Sequence, residues 1–247
     1  MLNLGLIGFG AFGQFAAKHL RARLHLFVWD MRDQRKKAAS LGLTWGTLEE
    51  AASCQFVLLA VPISEMPTVL ARIVPYLRPG ALLMDVCSVK MVPVEWMLAA
   101  APPEVDVVGL HPLFGPRSGR SGIDGLTVVV CPARTTSPTH MDGLERFLEE
   151  MSLKVFVTTA EEHDRQMAIA QALTHFVARG LAEAGMHDQD LKTPSFEALL
   201  RIVENLSKDS AELFRDLQTY NPFAEAARAR LLEALREIDK RVEGPAT

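Results

Sequence analysis

Directly behind an apolar opening stretch, Leu2–Ile7, the chain reads Gly8-Phe9-Gly10-Ala11-Phe12-Gly13, and a helix-period run through Phe15, Ala16, Leu20 and Leu24 follows. A strand that enters a glycine turn of this spacing and leaves as a helix is the opening unit of a parallel, helix-covered sheet. The turn is where such sheets hold a dinucleotide. Gly8 permits the tight turn, Gly10 lets backbone approach a pyrophosphate, and Gly13 allows the helix to pack closely on the strand. The helix N-terminus adds free N–H groups and the positive end of its dipole. Phe9, Ala11 and Phe12 complete this candidate cofactor-binding segment.

The alternation continues for about 159 residues. Apolar runs predict further strands at Leu24–Asp30, Phe56–Pro62, Ala81–Cys87, Val105–Leu110, Thr127–Pro132 and Lys154–Thr158. Their continuous apolar character is that of strands covered on both faces. Helical patterns fall between them at Arg32–Leu41, Glu65–Leu77 and Thr139–Met151, and Thr47-Leu48-Glu49-Glu50 has capping-box spacing. After Thr159 the strand signal stops. Thr159-Ala160-Glu161-Glu162 predicts the start of a long helix to about Glu183, Gly185–Thr193 reads as a loop, and Ser195–Tyr220 and Pro222–Val242 read as helices. The expected fold class is therefore α/β. A Rossmann-type, doubly wound, mainly parallel sheet over residues 1–159 precedes an all-helical C-terminal dimerisation domain over residues 160–247. So small a helical part must complete its core against the first domain or a second copy. Glu243–Thr247 is expected to fray.

Composition narrows the function classes. The net charge of −4 over 247 residues offers no basic field for nucleic acid or an anionic membrane surface. No apolar run reaches the ~18 residues of a membrane span. The strand begins at Leu2, which leaves no room for a signal peptide. Cys54, Cys87 and Cys131 are odd in number and lack Cys-x-x-Cys pairing, so reduced, buried thiols in a cytoplasmic protein are expected. No His/Cys/Asp cluster has metal-ligand spacing, and no metal is expected.

Asp30 ends the second strand, twenty residues after Gly10, where a carboxylate would accept hydrogen bonds from ribose hydroxyls. A carboxylate there repels a 2′-phosphate, so NAD is expected; Arg32 nearby could accept that phosphate and admits NADP. Val61 and Pro62 end the next long strand and either line the nicotinamide half or simply close a core strand. Ser88 and His111 follow two later strands and project at the same sheet edge as the glycine turn. His111 could take a hydroxyl proton as hydride leaves, with Ser88 orienting it or holding the substrate hydroxyl. The alternatives are a strand-capping His and a turn Ser. In the long helix, Asp164, Gln171, His175 and Arg179 form a polar stripe that faces either water or a polar ligand. Arg201, in Leu199-Leu200-Arg201-Ile202-Val203, needs an anionic partner or an outward face, the partner being a substrate carboxylate or a structural Glu such as Glu197 or Glu204. His19, His25, His140, His163 and His187 are given no functional role, and His163 reads as a capping or solvent residue.

Taken in order, Gly8–Gly13, Asp85–Lys90 with its Ser-Val-Lys, His111–Pro116, Glu161–Asp164 leading to Ala172-Leu173-Thr174-His175-Phe176, and Leu199–Tyr220 followed by Asn221-Pro222 resemble the prephenate/arogenate dehydrogenases of tyrosine biosynthesis over nearly the full length. The tail is most similar to the arogenate type. The resemblance implies a reaction in which a cyclohexadienol carrying a ring carboxylate is oxidised at its ring alcohol, loses carbon dioxide and becomes aromatic. It implies His111 as the base, Ser88 bonding the ring hydroxyl or His111, Arg201 on a substrate carboxylate, His175 on the substrate's polar groups, and a homodimer through the C-terminal helices. Arg117 stands where many relatives carry a Glu. Two other readings fit these residues less well. A 3-hydroxyacid dehydrogenase would use a helix Lys, and residues 160–191 contain none. A dinucleotide-binding sensor would have no need of Ser88, His111, His175 and Arg201 together.

Overall fold

The structure, a computed structural model, describes residues 2–243; of the tail expected to fray, residues 244–247 lie outside the described residues. Among the described residues eight strands form one sheet. They are β1 (Leu2–Ile7), β2 (Leu24–Trp29), β3 (Thr44–Trp45), β4 (Phe56–Leu59), β5 (Leu82–Asp85), β6 (Asp106–Pro112), β7 (Thr127–Arg134) and β8 (Lys154–Val157), in the order β3-β2-β1-β4-β5-β6-β7-β8. The helices between them are α1 (Ala11–Leu20), α2 (Arg35–Ser40), α3 (Leu48–Ala52), α4 (Met66–Ile73), α5 (Met91–Ala100) and α6 (Pro138–Glu150). The chain runs outward from β1 to β3 and then returns to the other side of β1, which makes the β1/β4 junction the topological switch point of a doubly wound sheet.

Strands β1 to β6 are parallel, and β7 is antiparallel to β6. The reversal has a local cause. A parallel return needs a crossover element, and residues 113–126 between β6 and β7 carry neither helix nor strand. Strand β3, only two residues long, is too short to give a periodic signal in sequence. The core on one face is built from alternate positions of adjacent strands: Leu4 and Leu6, Leu26 and Val28, Leu82 and Met84, Val128 and Val130. Each such side chain contributes about 1.5–3 kcal/mol by leaving water. Thr47 and Glu50 form a complete capping box, Thr47 Oγ1 accepting from Glu50 N and Glu50 Oε2 from Thr47 N. Cys54, Cys87 and Cys131 are buried and free, as expected.

The chain divides into two compact units, one ending at His163 and the other beginning at Asp164. The border thus falls after the first turn of α7 (Ala160–Met167). Thr159 starts this helix, its Oγ1 accepting from Glu162 N at 3.1 Å.

The second unit corrects two expectations. The helix expected to run unbroken to Glu183 instead passes through a π-helical stretch, Ala168–Leu173, before α8 (Thr174–Glu183). Wider turns loosen the backbone ladder, and side chains compensate: Gln218 Nε2 donates to Ala172 O at 2.7 Å, and Thr174 Oγ1 to Ala170 O at 3.1 Å. The single helix expected over Ser195–Tyr220 is two, α9 (Pro194–Leu206) and α10 (Ala211–Thr219). Ser210 separates them as an N-cap, accepting from Leu213 N at 3.0 Å. Then α11 (Ala224–Glu243) packs on the π-helical stretch. Both contribute buried alanines, Ala168 and Ala172 against Ala224 and Ala227, which permit close approach of backbones.

Candidate active site

Strand register assembles the site. One row crosses the sheet at the C-terminal ends of its strands, Trp29–Ile7–Leu59–Asp85–Gly109, each a direct neighbour of the next. Residues just beyond that row share one edge: Asp30 after β2, Gly8 after β1, Val61 and Pro62 after β4, Ser88 after β5, and His111 two positions on in β6. His111 and Pro112 are therefore still inside a strand, paired with Val129 and Val128, where a loop was expected. Three strand spacings, about 14 Å, separate the ends of β1 and β6.

The glycine turn fits a dinucleotide. Gly8 has φ +101°, and a Cβ there would stand 2.3 Å from Ala60 O. A Cβ on Gly13 would stand 2.1 Å from Gly8 O, so turn and helix are in backbone contact. A Cβ on Gly10, by contrast, would meet nothing within 4 Å. Gly10 is the N-cap of α1 without any side-chain cap, and Ala11 is exposed beside it. The first N–H groups of α1 thus face a space that a diphosphate could occupy. Phe9 has its ring fully buried against Trp45. Its N–H donates to Asp30 Oδ2 at 2.6 Å, and Gln14 and Gln34 both donate to its carbonyl. Asp30 Oδ1 accepts from Arg32 N at 2.8 Å. Phe12 is half-buried and packs on Phe15. A Cβ on Gly8 would stand 2.9 Å from Val61 Cγ1, and Pro62 is exposed.

The turn after β5 is built on a buried ion pair that sequence reading did not single out. Asp85 and Lys90 are both fully buried, and Lys90 Nζ donates to Asp85 Oδ2. The same oxygen accepts from Cys87 N at 2.8 Å, while Asp85 Oδ1 is buried with no partner among the described residues. Lys90 reaches Asp85 beneath Gly109, where a Cβ would stand 3.0 Å from Lys90 Cδ and 2.8 Å from Val94 Cγ2. Two opposite charges five residues apart in an otherwise apolar stretch were the available signal. Ser88, half-buried, sits in the turn this pair braces.

His111 is 3% exposed, and its Nδ1 lies 2.8 Å from Nε2 of His163, itself 3% exposed. The rings meet edge-on at 73°. The expectation that His163 caps a helix or faces solvent is overturned; it is the partner of His111, fifty-two residues away. Burial first, with the Lys90 ammonium adding to it, holds the His111 pKa well below the ordinary histidine value. The result is an imidazole kept neutral and able to receive a proton.

In the second unit His175 is buried, with Nε2 3.9 Å from Asp209 Oδ2. It lines an open cavity with Arg179, Glu183, Ser207 and Phe214, the Arg179 guanidinium lying 4.6 Å over the Phe214 ring. Gln171 falls in the π-helical stretch, and its Oε1 is buried with no partner among the described residues. Asp164 is fully buried, and the π-helical stretch lies between it and the two residues His175 and Arg179. Arg201 is exposed on α9, the outward face allowed for it. Among the described residues no group of three or more His, Cys, Asp or Glu is arranged to hold a metal ion, and no helix is long and apolar enough to cross a membrane.

A doubly wound sheet with an open glycine turn at its switch point is the frame of a dinucleotide-binding oxidoreductase. Residues 16–157 match the family model for the prephenate dehydrogenase nucleotide-binding domain. The chain is 34% identical to arogenate dehydrogenase 2, chloroplastic, of Arabidopsis thaliana, a match that covers 98% of this chain and 70% of that one. It belongs to the prephenate/arogenate dehydrogenase family, whose members are NAD(P)-dependent oxidoreductases. It is also 32% identical to arogenate dehydrogenase 1, chloroplastic, of the same plant, over 90% of this chain and 36% of that one. Residues 180–246 match the model for the TYRAAT1-like C-terminal domain. In fold the chain is similar to the prephenate dehydrogenase of A. aeolicus, solved with hydroxyphenyl propionate and NAD+, with a TM-score of 0.78, 21% identity, and coverage of 98% of this chain and 91% of that one.

Proposed function

We propose that the protein oxidises a cyclohexadienol, prephenate and/or arogenate, with loss of carbon dioxide, and that His111 is its base. The observation that carries this reading is the buried imidazole of His111, kept neutral at the sheet edge that also bears the glycine turn. When bound, the nicotinamide supplies the acceptor for the hydride leaving the carbinol carbon. His111 Nε2 takes the hydroxyl proton as that carbon becomes carbonyl-like, and Ser88 orients the hydroxyl. The bond from ring to carboxylate then breaks, its electron pair makes the ring aromatic, and the proton returns from His111 to the phenol oxygen. One hydride and one carbon dioxide leave, and no proton is gained or lost overall.

Gly8–Gly13 cradle the diphosphate, Asp30 accepts from the ribose hydroxyls, and Val61 and Pro62 line the nicotinamide half. Each Asp30 oxygen accepts one backbone N–H and keeps lone-pair capacity for a hydroxyl, and its charge disfavours a 2′-phosphate, so NAD is preferred. In the second unit Gln171, His175 and Arg201 bind the substrate's polar groups. The unpartnered, buried Gln171 oxygen supports its part, and Arg201 takes its part from the likeness to the family alone. The protein works as a homodimer through its C-terminal helices, with the exposed row Leu232, Leu235, Ile238 and Val242 on α11 as support. Its free thiols fit the cytoplasm.

A side-by-side assay of prephenate and arogenate, each with NAD and NADP, tests this reading. Reduced nicotinamide and carbon dioxide are expected in equal amounts with at least one substrate, with a higher kcat/KM for NAD. Absence of nicotinamide reduction with both substrates would end the proposal, and a preference for NADP would end the role given to Asp30.

A further inference from the structure

We propose that His163 is a positioning residue: by accepting the Nδ1 proton of His111, it holds that ring in the tautomer whose Nε2 is an unprotonated base. The inference rests on His111 being the base.

Two imidazole nitrogens 2.8 Å apart and both buried need one proton between them. Were His163 Nε2 to carry it, a neutral His111 would have to hold its own proton at Nε2 and could take none from a substrate there. With the proton on His111 Nδ1, the lone pair is at Nε2. The pairing is rigid at both ends. His111 lies inside β6, fixed by its register with Val129 on β7. His163 sits one turn into α7, its N–H donating to Thr159 O at 3.0 Å, and the same Thr159 caps the helix through Glu162 N. The two rings are therefore presented to each other by the backbone.

The partner also acts during turnover. When the substrate O–H bond breaks and a new N–H bond forms at His111 Nε2, the ring becomes cationic beside the Lys90 ammonium, which opposes it. Its Nδ1–H then makes a charge-assisted hydrogen bond to His163, stronger than the neutral one. The Nδ1 proton stays where it is, the Nε2 proton goes back to the phenol oxygen, and no further reactant takes part.

The test is the tautomer itself, read by long-range 1H–15N correlations of the histidine rings in the full-length protein without substrate, with His111→Asn used for assignment. His111 is expected to be protonated at Nδ1 and bare at Nε2. In His163→Phe the His111 tautomer should shift toward Nε2–H. Its kcat should fall about 10–100-fold, part of the 10²–10⁴ a general base supplies, with KM within about twofold. His163→Gln, whose amide oxygen can accept from Nδ1, should recover at least part of the lost kcat. Protonation of His111 at Nε2 in the wild type overturns the proposal whether or not the variants fold. So does a His163→Phe enzyme with kcat within about twofold of wild type. Full turnover by His111→Asn would instead remove the base assignment, an outcome read separately from the tautomer.

Discussion

A proton on His111 is disfavoured in the folded protein chiefly by burial, with Lys90 adding to it, whereas the unfolded chain binds it with a pKa near ~6.5. The folded value is therefore the lower one. Its contribution to stability is complete above about pH 6.5 and is lost as pH falls from there toward the folded pKa. Urea denaturation between about pH 8 and pH 5 should show declining stability, and His111→Asn should show a shallower decline. Coincident slopes for the two proteins would contradict a neutral His111. Asp106 does not mask the effect. Burial pushes its carboxyl up, but hydrogen bonds from Thr136, His140 and Ser137 more than offset this and hold it below the usual carboxylate range. Its loss of stability falls below pH ~4.

At the scale of elements, the turn from β5 to α5 depends on one buried pair. Lys90→Met would strand the Asp85 carboxylate without its counter-charge, and a loss of about 3–5 kcal/mol is expected in urea denaturation. The double variant Asp85→Leu/Lys90→Met should recover most of that loss, since an apolar replacement of both charges removes the stranded one. A single variant as stable as wild type would mean that Lys90 does not neutralise Asp85. Elements like this also mark how far the chain could be read before folding. Apolar runs and the Gly8–Gly13 turn placed β1, β2, β4, β5 and β6 in order, which was enough to put Asp30, Ser88 and His111 at one edge; the register row from Trp29 to Gly109 bears that out. What stayed hidden depends on contacts between distant segments. The π-helical stretch is compensated by Gln218, forty-six residues from Ala172. The reversal of β7 follows from a connection that lacks a helix, and its strand pattern alone looks the same in either direction. His163 gave no local sign of its partner, because a pairing across fifty-two residues arises only on folding.

For the whole molecule, α11 carries Leu232, Leu235, Ile238 and Val242 exposed at spacings of three, three and four residues, a stripe down one helix face. In the proposed dimer this stripe is covered by a second copy. Sedimentation velocity of the full chain should give a dimer for wild type and a monomer for Leu235→Glu/Ile238→Glu; a monomeric wild type or a dimeric variant would contradict that assembly. The proposed chemistry turns on His111 acting on a proton after the cofactor has bound. The most direct measurement pairs the NAD Kd of His111→Asn, from fluorescence titration, with its kcat on the better of prephenate and arogenate. An unchanged Kd with kcat lowered about 10²–10⁴-fold is predicted. Turnover at the wild-type rate, with NAD bound equally well, would contradict it.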